Sequence, residues 1–383
     1  MIGRNWLTVA AIAGCFWAMA GINPVLAQIL EKVELEASDY TDLDLWQAES
    51  KTQLIESINH SLTYLDTAKS AEDYATLDLP PKFSRDNVRR SLLRFRELVQ
   101  ASNNPNALQQ QIQQEFDFYQ SVGTDGLGTV DFTAYFEPSY QASPVRTDKF
   151  RYPIYRRPST FDQWELPHPT RAELEGIDGV APADSPLLGQ ELVWLPTRLE
   201  AYLVQVQGSA RLQLPDGKVM TVGFHGSTDY DYVSLGKELI NDGVFAPEEL
   251  SLPKLLDYFE TNPEKLSDYI PRNDRFIFFR ETFGSPPIGS LNVPVTAHRS
   301  IATDKSLMPP GAIALVSTVL PFPTYDGDWI KLDRNFYALD QDTGSAIKGA
   351  GRVDIFLGTG VNVQTEAGLV NDEGQLFYLL LKQ

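Results

Sequence analysis

At about 150 residues per domain, a chain of 383 residues corresponds to two or three domains and is long enough to bury a sizeable core. Its 51 acidic and 32 basic residues leave a formal charge of −19, which argues against a phosphate-tracking nucleic-acid binder and against electrostatic docking on anionic lipid. With 43% hydrophobic and 22% charged residues the composition is globular, and the single cysteine, Cys15, excludes a disulfide framework and any multi-cysteine metal site.

Residues 1–27 carry Arg4, an apolar run from Trp6 to Ile22, and Val25-Leu26-Ala27 ahead of Gln28. A basic start, a short apolar core and small residues at the cleavage positions predict a secretory signal, hence export to the periplasm or cell envelope. Ile12-Ala13-Gly14-Cys15 also resembles a lipobox, so an outer-membrane lipid anchor through Cys15 is the competing expectation, and an uncleaved anchor the third.

From about Asp39 to Val122 the pattern is helical, and residues 28–125 are expected to form a helical N-terminal region. Ser84 is placed as an N-cap, with Val88, Leu92, Phe95 and Val99 recurring on one face. Leu108, Ile112, Phe116 and Tyr119 repeat that spacing. From Gly126 onward short β-branched and aromatic runs alternate with Gly and Pro, the signature of β structure. Residues 144–196 are proline-rich, with an extended piece at Arg151-Tyr152-Pro153-Ile154-Tyr155. Glu200 to Leu214 reads as one strand or two, because Tyr202, Val204 and Val206 alternate with Leu203, Gln205 and Gln207. A helical island follows at Val233 to Asn241 and Ser251 to Glu260, then strands around 276–279, 312–316 and 353–356. The class is α+β, mainly β.

Most enzyme signatures are missing. His60, His168, His225 and His298 lack zinc-ligand spacing, and neither a GxSxG elbow nor a phosphate loop occurs. Asp326-Gly327-Asp328 reads as a turn rather than a calcium loop. No metal and no cofactor is expected, and carboxylates remain as the candidates.

The block Asp342-Thr343-Gly344-Ser345-Ala346-Ile347-Lys348-Gly349, followed by Arg352-Val353-Asp354-Ile355-Phe356 and Gly358-Thr359-Gly360, concentrates them. Glycines on both sides predict tight turns where backbone approaches a ligand. Val353, Ile355 and Phe356 put Asp354 in or at the end of a buried strand, where lost hydration and a neighbouring carboxylate such as Asp342 both raise its pKa. A carboxyl protonated near neutral pH is what glycosidic cleavage requires. The competing reading makes both residues ordinary turn aspartates. Asp-Thr-Gly-Ser also invites an aspartic-protease reading, but that chemistry needs two such aspartates and Gln341 stands where that motif places an apolar residue.

Five motifs in order resemble the membrane-bound lytic transglycosylase A (MltA) family of peptidoglycan-cleaving enzymes. They are Thr133-Ala134-Tyr135-Phe136-Glu137-Pro138, Tyr152 to Tyr155, Val206-Gln207-Gly208-Ser209-Ala210-Arg211-Leu212, Arg299 to Asp304, and the Asp342 to Asp354 block, spanning roughly residues 125–380. Ala134, Phe136, Glu137, Ala210 and Ser345 depart from the usual pattern. The resemblance implies a double-psi β-barrel, the family's 3D domain, from residues 126–143 plus 292–383. It further implies an inserted β-rich domain at 144–291 that forms the other wall of a glycan groove.

It also implies Asp354 as catalytic acid supported by Asp342, with Asp304, Gly344 and Gly349 structural. Gln207, Ser209, Arg211, Thr133, Tyr135 and Lys348 become substrate-binding candidates. The implied reaction forms 1,6-anhydromuramoyl ends on glycan strands. A non-catalytic peptidoglycan-binding barrel and a hydrolytic muramidase are the alternatives, and a monomer is expected. Peptidoglycan is itself acidic, so attraction must be local, and Arg211, Arg299, Lys348 and Arg352 are the basic groups nearest the motifs.

Overall fold

The computed structural model describes residues 29–383 apart from 36–40, 48 and 248, so the expected signal segment and Cys15 lie outside the described residues. The chain begins with β1 (Leu30–Val33), α1 (Ser50–Leu65), α2 (Ala68–Thr76), α3 (Arg85–Ala101), α4 (Pro105–Glu115) and β2 (Phe116–Ser121). It continues through β3 (Val130–Glu137), β4 (Ser139–Gln141), β5 (Tyr152–Tyr155), α5 (Arg171–Glu175), β6 (Glu191–Leu195), α6 (Arg198–Gln207), β7 (Ser209–Gln213) and β8 (Val219–Ser227). Next come α7 (Leu235–Asn241), α8 (Leu252–Thr261), α9 (Leu266–Tyr269) and β9 (Ile277–Glu281). The last elements are β10 (Ser300–Ala302), β11 (Ile313–Pro323), β12 (Trp329–Asp342), β13 (Arg352–Thr359), α10 (Val361–Leu369) and β14 (Asn371–Leu381).

Six strands, in the order β14-β11-β12-β10-β13-β3, close into a barrel because β14 also pairs with β3. Two of its pairings are parallel, β10 with β12 and β13 with β3, and the rest are antiparallel. Closure leaves these strands no free edge. The mixed α+β, mainly β class and the closed barrel are as expected. Outside the barrel, β1 and β2 extend the sheet beside β14. The N-terminal helices have no separate core: Ile58, Phe95 and Ile112 pack in one cluster with Val316, Tyr337 and Leu376. Phe95 is fully buried, with ring centroids 4.9 Å from Tyr337 and 5.8 Å from Phe116, and burying such a ring stabilises by roughly 1.5–3 kcal/mol.

The chain leaves the barrel at Pro138, after which β4 joins the sheet β4-β7-β8-β9, while β5 and β6 form a two-stranded ribbon. Three smaller apolar clusters hold this part together.

Ser84 caps α3, accepting from the Asn87 N–H, and Val88, Leu92, Phe95 and Val99 are buried as the pattern predicts. Two expectations fail. The helix through Leu108 and Ile112 stops at Glu115, and Phe116 and Tyr119 lie in β2, where Phe116 pairs with Leu381. Phe116 already has extended dihedrals, so the i, i+4 spacing ran across a helix–strand junction by coincidence. Residues 198–207 are a helix, not a strand. Thr197 and Glu200 form a reciprocal capping box, and Gly208 ends the helix in the left-handed region at φ +76. Leu199, Tyr202 and Leu203 face one apolar cluster and Ala201 and Val204 another. A helix buried on both sides loses the polar face that reveals its period.

Candidate active site

Strand register sets one level of the barrel. Ala302 on the short strand β10 is the register partner of Asp342 on one side and of Asp354 on the other, and Asp354 is in turn opposite Thr133. Asp342, Asp354 and Thr133 therefore meet at one height across β12, β10, β13 and β3. Tyr135 lies two residues beyond Thr133, on the same face of its strand.

Thr133 Oγ1 donates to Asp354 Oδ1 at 2.5 Å and accepts from Arg352 Nη2 at 2.8 Å. Among the described residues no other group hydrogen-bonds the Asp354 carboxyl. Asp342 is more tied down: Oδ2 accepts from the Tyr135 hydroxyl at 2.8 Å, and Oδ1 from the backbone N–H of Ser290 and of Thr343, both at 2.8 Å. Burial raises the pKa of both carboxyls. For Asp354 the Thr133 bond and the Arg352 charge pull downward by less, and the Asp342 charge pushes it further up. For Asp342 the bonds from Tyr135, Ser290 and Thr343 oppose burial without cancelling it.

Asp354 opens onto a cleft of about 380 Å³. One wall comes from the barrel: Thr133, Tyr135, Arg352 and the turn Gly344 to Ile347 between β12 and β13. The other comes from the strands and helices that follow β4, through Arg171, Tyr202, Gln205, Gln207, Tyr232 and Arg275. A shared cleft with a weakly tethered, protonatable carboxyl can deliver a proton to a bound ligand and take one back.

The candidates named from sequence divide between the cleft and its surroundings. Asp354, Thr133, Tyr135, Gln207 and Gly344 line the cleft, or, like Asp342, bond directly to a residue that does. Gln207 Oε1 accepts from the Phe136 N–H at 3.1 Å, tying α6 to β3. Asp304 lies away from the cleft, accepting from Ser306 through Oδ1 and from the Gly349 N–H through Oδ2 at 2.9 Å. Burial opposes its charge, but those bonds and the Lys348 charge hold its pKa below the usual range. Gly349 needs its left-handed φ of +85 to present that N–H. Ser209 pairs with Gly223 in the outer sheet, outside the cleft lining, and Lys348 is exposed beside Asp304. Arg211 Nε is bound at 2.9 Å to the buried Glu137.

Profiles of the MltA specific insert domain and of the 3D domain match residues 131–280 and 299–380. Over 265 residues, 69% of either chain, the sequence is 30% identical to membrane-bound lytic murein transglycosylase A of Escherichia coli K12. The chain belongs to the membrane-bound lytic murein transglycosylase A family. The Vibrio cholerae member is 29% identical over 264 residues, 68% of either chain. The structure of Escherichia coli MltA with bound chitohexaose superposes with a TM-score of 0.72 at 25% identity, covering 93% of this chain and 96% of that one. The membrane-bound lytic murein transglycosylase of Agrobacterium tumefaciens gives 0.70 at 25% identity, covering 92% and 98%.

As a family member the chain also shows what sequence reasoning passed over. Lys305 donates to the Asp340 carboxylate and to the Asp342 carbonyl, fixing the end of β12 from below. Gln341, the residue that spoiled the protease motif, is fully buried and donates to Ser57 O at 2.7 Å and Ser61 Oγ at 3.0 Å, fastening α1 to the barrel. Arg299 is buried against Asp42 at 2.7 Å, so of the four basic groups named from sequence only Arg352 reaches the cleft. Its place two residues before Asp354 on one strand was the available signal. Arg171 and Arg275, about a hundred residues apart in the chain, carried none.

Proposed function

We propose that Asp354 is the single acid–base group of this enzyme, which by its family is a peptidoglycan lytic transglycosylase. The observation that carries this reading is a desolvated carboxyl at the cleft, raised in pKa and held through one oxygen by Thr133. Protonated Asp354 donates to the β-1,4 glycosidic oxygen between N-acetylmuramic acid and N-acetylglucosamine as positive charge develops at the anomeric carbon. The resulting carboxylate accepts the proton of the muramoyl 6-hydroxyl, whose oxygen attacks that carbon and closes the 1,6-anhydro ring. No water is consumed. The nucleophile belongs to the substrate, so its effective concentration is high and no second carboxylate has to activate water.

Asp342 is poorly suited to the proton transfer, since Tyr135, Ser290 and Thr343 already occupy its oxygens. Its role is to keep the pKa of Asp354 up and Tyr135 in place. Asp304 braces the turn that carries Gly349. Gln207, Tyr135 and Thr133 are positioned to bind sugar, whereas Arg211 and Lys348 act through Glu137 and Asp304. Residues 126–143 with 292–383 form the catalytic unit and 144–291 the insert.

The enzyme acts on glycan strands, as a monomer, in the periplasm or cell envelope. No helix among the described residues is long and apolar enough to cross a membrane. The intact mass of the exported protein separates a start at Gln28, an acylated Cys15 and an uncleaved N-terminal segment.

Mass spectrometry of digested sacculi tests the chemistry. Muropeptides one water lighter than hydrolytic products are expected, and Asp354→Asn is expected to lower their yield by roughly a thousandfold while the chain stays folded. Hydrolytic products, no products, or full activity in Asp354→Asn overturn the reading.

A further inference from the structure

In a chain of formal charge −19, the cleft wall facing the barrel gathers cations. Arg171 on α5 and Arg275 just before β9 line it, with Arg198 on α6 behind them, and Glu175 is 3.1 Å from Arg171 Nη1 and 3.6 Å from Arg198 Nη2. Arg171 is only 1% exposed and fully engaged. Its Nε donates to Asn273 O at 2.7 Å, and Nη2 donates to Gln205 Oε1 at 2.9 Å and to the Arg275 carbonyl. The rings of Phe276 and Tyr202 sandwich its guanidinium at 5.0 and 5.2 Å. By gripping two carbonyls of the segment 273–275, Arg171 fixes the backbone from which Arg275 projects.

Arg275 lines the cleft and is not consumed by it. Nη1 donates to Tyr230 O at 2.9 Å, whereas Nε is buried without a hydrogen-bond partner. Among the described residues no carboxylate lies within 4 Å of it, and Asp231 acts on it only from farther away. A guanidinium on a cleft wall is a charge-assisted donor matched to carboxylate oxygens. A cation held on the cleft wall without a protein carboxylate is an arrangement that a uniformly neutral sugar chain gives no reason to keep.

We propose that the guanidinium of Arg275, braced by Arg171, binds a substrate carboxylate and selects muramoyl strands over uncharged glycan. The proposal rests on the cleft being the glycan site. Two sources supply the same chemistry: the lactyl carboxylate of strands stripped of peptide, and the carboxylates of stem peptides.

Calorimetry in the Asp354→Asn chain, which keeps bound strands intact, provides the test. Against muramoyl strands Arg275→Gln is expected to lose about tenfold or more in affinity, the scale of a charge-assisted pair, with chitohexaose affinity unchanged and Arg275→Lys in between. Equal losses for both ligands, or none, overturn the proposal. Should Arg275→Gln fail to fold, amidating the strand carboxylates tests the same point with Arg275 intact. Weaker binding supports the pairing with Arg275, while unchanged or tighter binding, the result bulk repulsion alone would give, overturns it. A chain that binds neither chitohexaose nor strands overturns the glycan cleft instead. A larger Arg275 effect on peptide-free strands assigns the lactyl carboxylate, and on peptide-bearing strands the stem.

Discussion

Asp340 and Asp354 are both barrel aspartates whose pKa burial pushes up, yet they sit at opposite ends of what a buried carboxyl can do. Asp340, fully buried, accepts from Thr303 Oγ1 at 2.8 Å and from the Tyr378 hydroxyl at 2.7 Å, and pairs with Lys305. Asp354 has Thr133 and an open cleft. The difference teaches that a raised pKa does not by itself mark a catalyst. A carboxyl whose oxygens are committed to the fold holds strands together, and one with a spare oxygen facing a cleft can exchange a proton.

The widest separation between the two is expected in stability. Asp340→Ala strands the Lys305 ammonium and should cost about 3–5 kcal/mol, whereas Asp354→Asn keeps the Thr133 bond and should cost under about 1 kcal/mol. Urea unfolding measures both, and equal losses would break the comparison.

Thr133→Val sharpens it next. With the one hydrogen bond to its carboxyl among the described residues removed, Asp354 loses orientation, and turnover should fall about tenfold. That bond lowers the Asp354 pKa, so its loss should also move the alkaline limb of kcat to higher pH. A tenfold loss with an unmoved limb would leave orientation as the whole effect.

Asp304 tests the fold-committed end. Asp304→Ala removes acceptors for Ser306 and Gly349 and should cost about 1–2 kcal/mol, with turnover per folded molecule nearly unchanged. The folded-state pKa of Asp304 is depressed, so the stability it adds is present above the ordinary carboxylate pKa. It is lost as pH falls through the folded value, and the gap between wild type and variant should close in acid.

How far these roles could be read from sequence depended on how local the signal was. The Ser84 cap, the glycine-bracketed turn from Asp342 and the burial of Asp354 are short-range patterns, and five ordered motifs pointed to the family and its barrel. The α6 segment misread as strand because its partners on both sides are apolar, so only the Thr197–Glu200 capping box distinguished helix from strand. Arg211 and Arg299 were taken as free cations near motifs. Their partners, Glu137 and Asp42, are 74 and 257 residues away, and no local pattern encodes such pairings. The same distance hid Arg275, whose importance lies in a partner it lacks.

Asp342 gives the smallest expected effect and the finest division between the two kinds of carboxyl, because it belongs to both. Tyr135, Ser290 and Thr343 commit its oxygens as thoroughly as those of Asp340, yet its charge acts on Asp354. That charge raises the Asp354 pKa, so Asp342→Asn should lower it and move the alkaline limb of kcat to lower pH. The shift should stay under about one unit, since burial, the Thr133 bond and the Arg352 charge all outweigh Asp342. At low pH, where Asp354 is protonated in either chain, turnover should nearly recover. Measured pH–rate profiles decide the matter: loss of turnover at every pH would move the proton transfer to Asp342 and leave Asp354 as its support.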